Sequence, residues 1–196
     1  MQRLFVSAGA MENFRYAKAI GIGLINSAMN LTRELSSLDA LPTEVIFVGS
    51  CGSFGAHKIG DIIESSCACN VENSFFSKAY TPISNLICSN AQAQFITKTF
   101  DPKNKQIGID VSRRTINSSN YITRDESLWQ NYLDRNIVAE NMEFFSVASV
   151  ARTFGVMTRG IFVVTNFCNL NAHEDFVKNH SACMEILNNY MHEQVL

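Results

Sequence analysis

Three stretches of the sequence carry side chains suited to chemistry on a small polar ligand. Glu140-Asn141-Met142-Glu143 follows the apolar residues 136–139 and opens a nearly all-apolar run to Ala151. A buried strand running into a helix, with carboxylates at the junction, puts charge where parallel sheets build ligand crevices, at strand C-terminal ends. A carboxylate there can accept hydrogen bonds from a ligand. The plainer reading is that Glu143 favours the positive N-terminus of the helix it begins, an effect of ~0.3–1 kcal/mol. The second stretch is the apolar run 160–166, which ends in Thr165-Asn166. Its terminal amide can donate to and accept from a ligand edge, or cap a turn. The third is Gly49-Ser50-Cys51-Gly52-Ser53-Phe54-Gly55, which follows the β-branched, apolar residues 44–48. Glycines there let backbone N–H groups approach an anion or ring edge without Cβ interference, or simply make a sharp loop.

The elements that must position these groups follow from hydrophobic pattern. Residues 4–8, 44–48, 60–69, 106–110, 136–139 and 160–166 read as strands, and 24–38, 123–133, 140–151 and 172 onward as helices. Thr123 and Glu126 form a capping-box pattern at the start of one helix. Residues 72–105, rich in Asn and Ser, give no clear assignment. Strands alternating with helices predict an α/β fold, one three-layer α/β/α domain over residues 1–196.

Composition narrows the function classes. A net charge of −2 offers no basic field, so neither nucleic acid nor an anionic membrane is an expected partner. No apolar run reaches the ~18 residues that span a bilayer, and the first eight residues are too short for a signal core. A cytoplasmic location is therefore expected. Charged residues are 17% of the chain, against about 25% in ordinary domains, which suggests surface hidden in a homo-oligomer. The six cysteines lie mostly in apolar segments without CxxC spacing and read as buried free thiols. Cys67 and Cys69 would alternate across a strand, and the four histidines include no helix-spaced pair, so no metal and no cofactor is expected.

Taken together, the motifs resemble the purine nucleoside phosphorylase and methylthioadenosine nucleosidase superfamily. Gly21-Ile22-Gly23-Leu24-Ile25-Asn26-Ser27-Ala28 is similar to the family's GIGKVNAA segment. Ser50-Cys51-Gly52 and Gly60-Asp61-Ile62-Ile63 resemble its phosphate-side loop and the following strand. Asn141-Met142-Glu143 resembles its E-M-E motif, and Val164-Thr165-Asn166 lies where trimeric phosphorylases carry Thr-Asn. Met142 and Asn166 stand 24 positions apart, a separation the family keeps.

The resemblance implies the nucleoside-phosphorylase fold, with a mixed central sheet, and cleavage of a purine nucleoside through an oxocarbenium-like transition state. Glu143 and Met142 would hold the ribose. Asn166 would donate to the base, favouring a 6-oxopurine, with Tyr121 stacking on it and Cys51 and Gly52 beside it. Glu143 and Asn166 would be the catalytic pair. Ser50, Gly9, Arg15 and Glu12 would form the phosphate or water side. The expected reaction is phosphorolysis, with phosphate as co-substrate, to free purine base and ribose 1-phosphate. Hydrolysis by water and binding without turnover are the alternatives.

Three positions depart from the family pattern. Phe47 stands where phosphorolytic relatives have Arg. Phe14 stands where hydrolytic relatives have the catalytic Glu of a Gly-Ala-Met-Glu run. Asn141 replaces the first Glu of E-M-E, with Glu140 one residue earlier. His173, in residues 171–175, is expected to cover the site or cap the last helix.

Overall fold

The structure is a computed structural model describing residues 2–77, 83–90, 94–99 and 114–194. Its centre is the pair β3 (Glu44–Ser53) and β10 (Met157–Phe167), parallel and registered from Glu44 to Ser53. Both are apolar on both faces, and the two faces separate by parity, as the two-residue period of a strand requires. Val45 and Phe47 of β3, with Phe162 and Val164 of β10, meet Leu31 and Leu35 of α1 (Leu24–Ser36) and Val147 of α3 (Phe144–Phe154). Ile46 and Val48, with Ile161 and Val163, meet Leu187 and Met191 of α4 (Ala172–Gln194). Every one of these strand residues is 0% exposed. Burying each contributes about 1.5–3 kcal/mol, so the sheet is clamped between two apolar layers.

The remaining strands are β1 (Arg3–Ser7), β2 (Lys18–Ala19), β4 (Ile62–Ser65), β5 (Cys67–Cys69), β6 (Leu86–Ser89), β7 (Phe95–Lys98), β8 (Thr115–Ser118) and β9 (Ile137–Asn141). They run in the order β2-β1-β3-β9-β8-β5-β6-β7, with β10 on the other edge of β3 and β4 beyond it. Parallel and antiparallel pairs coexist, giving the mixed α/β sheet with helices on both faces that was expected. No helix among the described residues is long and apolar enough to cross a membrane.

Several boundaries depart from the sequence reading, each for a local reason. The glycine-rich residues 49–53 continue β3 rather than form a loop, because β10 pairs with them to Ser53. The helix expected at Glu140 begins at Phe144. Glu140 and Asn141 belong to β9, and the Asn141 Oδ1 accepts the Phe144 N–H at 3.2 Å. The helix expected over 123–133 is a 3-10 turn, Glu126–Leu128, followed by α2 (Trp129–Leu133). Asp125, not Thr123, caps it by accepting the Ser127 N–H. The strand expected over 60–69 divides into β4 and β5, where the Ser65 hydroxyl takes up the Cys67 N–H at 3.0 Å. The strand expected over 106–110 lies outside the described residues.

The free-thiol expectation fails for one pair. Cys67 and Cys88 face each other across β5 and β6, with Cα atoms 4.1 Å apart, and are joined as a disulfide. Cys51, Cys69, Cys168 and Cys183 are buried free thiols.

Candidate active site

One edge of β3 changes partner midway. It pairs with β1 as far as Val6 opposite Phe47, and with β9 only from Gly52 opposite Glu140. Between these points, over residues 48–51, no described strand lies against that edge. A cavity of about 270 Å³ opens at this fork.

Glu12 fills the backbone vacancy. The Ser50 N–H donates to Glu12 Oε1 at 3.0 Å, and the Ser50 hydroxyl donates to the same oxygen. Gly9 and Ala10 bring Glu12 there through left-handed backbone, with φ of 82° and 54°, closed by a 2.9 Å bond from Glu12 N–H to Gly9 C=O. Gly49 leaves the room: a Cβ on it would stand 2.5 Å from Glu12 Oε2. Burial raises the Glu12 carboxyl above its ordinary pKa, and the two Ser50 bonds oppose that shift.

On the opposite wall Glu143 is 5% exposed, and its carboxylate is held from three sides. Oε1 accepts the Gly23 N–H at 2.9 Å; Oε2 accepts the Asn141 amide at 3.1 Å and the Met142 N–H at 3.2 Å. Glu143 therefore caps α1, across the sequence, and makes no capping bond to α3, the helix it begins. Asn120 completes the cap by accepting the Leu24 N–H at 2.9 Å. Asn141 stands where the family motif has its first Glu. Its Oδ1 accepts the Ser118 hydroxyl and its amide donates to Glu143, so it holds the neighbouring carboxylate in place.

The cavity is also lined by Asn166 and a third carboxylate, Glu140. β10 carries a register shift between Val164 and Asn166, which returns Asn166 opposite Gly52. The Thr165 hydroxyl donates to Asn166 Oδ1 at 2.9 Å, and Asn166 Nδ2 donates to the Phe167 C=O at 3.1 Å. Glu140 accepts both the N–H and the hydroxyl of Thr123, each at 2.7 Å. The Thr123 side chain thus serves the cavity, not the helix cap expected of it.

Of the residues singled out in the sequence, Gly9, Glu12, Ser50, Cys51, Gly52, Tyr121, Met142, Glu143 and Asn166 all line this cavity. Tyr121 sits at its rim, 42% exposed. His173, at the start of α4, lines it as well. Arg15 does not: it is exposed in the turn before β2. Phe14 and Phe47 are both buried in the core, Phe14 stacked on Tyr16 at 5.4 Å. Phe176 was not foreseen, and neither was Glu140 as a wall of the cavity. The only signal for Glu140 was its place one residue before the motif. Among the described residues lining the cavity none is Lys or Arg, and no group of three His, Cys, Asp or Glu could hold a metal ion.

Burial raises Glu140 and Glu143 to about 7, and the Glu12 charge adds to the shift of Glu143. Both values exceed the ordinary 4.5, so the folded chain holds these protons more tightly than the unfolded chain. Their contribution to stability is complete below about pH 4.5 and is lost as pH rises through about 7. The melting temperature of the unliganded protein is expected to fall between about pH 5 and pH 8, and to fall less in Glu143→Gln. Calorimetry across that range checks this, and a flat or rising profile contradicts it.

The sequence profile of the phosphorylase superfamily matches residues 13–193. No curated protein sequence matches the chain. Among solved structures, the chain is similar to 5'-methylthioadenosine/S-adenosylhomocysteine nucleosidase from Helicobacter pylori, with TM-score 0.70 and 18% identity over 100% of this chain and 98% of that one. It is similar to futalosine hydrolase of Helicobacter pylori strain 26695, with TM-score 0.70 and 15% identity over 97% and 96%. A third is the 5'-methylthioadenosine/S-adenosylhomocysteine nucleosidase of S. pneumoniae, with TM-score 0.68 and 15% identity over 97% and 96%. At these identities the likeness is one of fold.

Proposed function

The chain belongs to the phosphorylase superfamily, and from that premise we propose that it hydrolyses the N-glycosidic bond of a purine nucleoside, with Glu12 activating the water. The observation that carries this reading is the make-up of the cavity: three buried carboxyl groups and, among the described lining residues, no Lys or Arg. Among the described lining residues an incoming phosphate dianion would meet three carboxyl groups and no Lys or Arg. Neutral water meets a base. The phosphorolytic expectation therefore yields to the hydrolytic one, and the similar solved structures, named as nucleosidases and a hydrolase, agree with that choice.

In this reading the ribose lies between Glu12 and Glu143. Glu143 accepts one sugar hydroxyl at the lone-pair site on Oε1 that its three N–H partners leave open, and Met142 packs below the ring. As the bond from the anomeric carbon to the purine nitrogen lengthens, positive charge grows on the sugar between two carboxylates. Asn166 donates to the purine, where negative charge grows. Water adds to the anomeric carbon and gives its proton to Glu12, while the purine departs with the bonding electron pair as an anion and takes a proton from solvent. Burial, which raises the Glu12 pKa, makes it a stronger base than an exposed carboxylate.

The test is to incubate the purified protein with inosine, guanosine, adenosine and methylthioadenosine, with and without phosphate. Release of free base and free pentose at the same rate in both buffers is expected. Base release that requires phosphate and yields ribose 1-phosphate would restore phosphorolysis. No release, with nucleoside binding seen by calorimetry, would make the protein a binder.

A further inference from the structure

We infer that Asn141 sets the sugar specificity of the cavity: it closes the second acceptor site on Glu143, so that this wall reads one ribose hydroxyl and admits a deoxynucleoside lacking the other. The inference rests on the nucleoside reading of the cavity and narrows it at the sugar. A count of acceptor sites carries it. An ionised carboxylate offers about four lone-pair sites, two on each oxygen. On Glu143, Oε1 gives one site to the Gly23 N–H at 2.9 Å. Oε2 gives both of its sites, to the Asn141 amide at 3.1 Å and the Met142 N–H at 3.2 Å. One site is left, on Oε1. Asn141 and Glu143 are both buried and both line the cavity.

The Asn141 amide is held against turning over to reopen Oε2. Its Oδ1 accepts the Phe144 N–H at 3.2 Å and the Ser118 hydroxyl at 2.8 Å, and that hydroxyl accepts the Phe145 N–H at 3.0 Å. A flipped amide would set its NH2 group against the Phe144 N–H and its oxygen against the Glu143 carboxylate, exchanging attractions for repulsions. The Asn141 side chain also offers the sugar no acceptor of its own, because Oδ1 already holds two donors. The Glu that the family motif carries at this position has no N–H to donate when ionised, so the closure belongs to the asparagine. A cis-diol thus brings two O–H donors to a carboxylate with one vacancy. The hydroxyl left over makes no bond to Glu143, and removing a group without a partner costs little.

The test is calorimetric affinity, with kcat/KM where turnover occurs, for inosine, adenosine and the 2'-deoxy and 3'-deoxy forms of each. Work at about pH 9 keeps Glu143 ionised, above its raised value of about 7, so that no proton competes for the open site. In the natural chain one deoxy series is expected to weaken by ~10-fold or more, the scale of one bond to a charged group, and the other to stay within ~3-fold of the ribonucleoside. Asn141→Ala frees the Oε2 site and is expected to weaken the second deoxy series by ~10-fold as well, relative to the ribonucleoside. A variant that merely loosened Glu143 would shrink such differences, not add one. Rejection of both deoxy series by the natural chain, or of neither, overturns the inference, as does an unchanged pattern in an Asn141→Ala protein with native circular dichroism. If Asn141→Ala did not fold, the pattern of the natural chain would decide. Affinity does not require turnover, so nucleosides bound but never cleaved would remove the hydrolytic reading and leave this one standing. If no nucleoside bound at all, both would fall.

Discussion

Replacing Glu12 by Gln lowers kcat by ~10³-fold, within the ~10²–10⁴ range of a positioned general base, and leaves nucleoside affinity within a few-fold. The substitution keeps shape and one acceptor. A glutamine oxygen can still take the Ser50 N–H and hydroxyl that Glu12 accepts, so the fork of the sheet stays filled. What is lost is the ability to take a proton from water. One titration leaves the acid limb of the pH profile of kcat/KM with it, while that of Glu143, raised to about 7, remains. Steady-state kinetics together with calorimetric binding check both parts. Turnover within about tenfold of the natural chain would remove Glu12 from the chemistry.

Glu143→Gln is expected to lower kcat/KM by at least ~10²-fold, the scale of one strong transition-state contact. Glu143 also caps α1 through the Gly23 N–H, so lost activity alone would not separate a sugar contact from a structural one. Nucleosides lacking the 2'- or 3'-hydroxyl supply the second arm. The natural chain should lose a large factor on the one that lacks the bonded hydroxyl and Glu143→Gln little more, because the two changes remove the same interaction. If the variant discriminated against deoxynucleosides as strongly as the natural chain, the ribose assignment would be wrong. The cap should weaken as well, since a glutamine oxygen that keeps the Gly23 N–H leaves its NH2 group facing the Asn141 and Met142 N–H donors.

Much of this arrangement was legible because it depends on local pattern. The runs 44–48 and 160–166 announce central strands by being apolar on both faces, and the 24 positions from Met142 to Asn166 span α3 and most of β10. Glu12 was harder to place. By position in its motif the catalytic carboxylate should be residue 14, yet two successive left-handed residues turn Glu12 into the fork and send Phe14 to the core. Such a turn is set by tertiary packing around Ala19 and Gly49, which no short window of sequence contains. Thr123 and Glu126 read as a capping box only because the competing partner of Thr123, Glu140, is 17 residues away. The same distance problem hid the bond between Cys67 and Cys88, 21 residues apart and opposed only once β5 and β6 are paired.

The fork in β3 also bears on how the cavity responds to its occupant. The groups at its floor, on Ser50, Gly52, Glu140 and Asn166, belong to three hydrogen-bonded strands packed on both faces, the part of a protein that opens last. Tyr121 and Ile122 at the rim lie between elements and are 42% and 43% exposed. The end of a ligand that enters first is thus read by the stiffest material in the molecule, and the end that stays outside by the most compliant. Tolerance should grow with distance from the floor, so that a change of one atom on the base is felt more sharply than a change of several at the mouth.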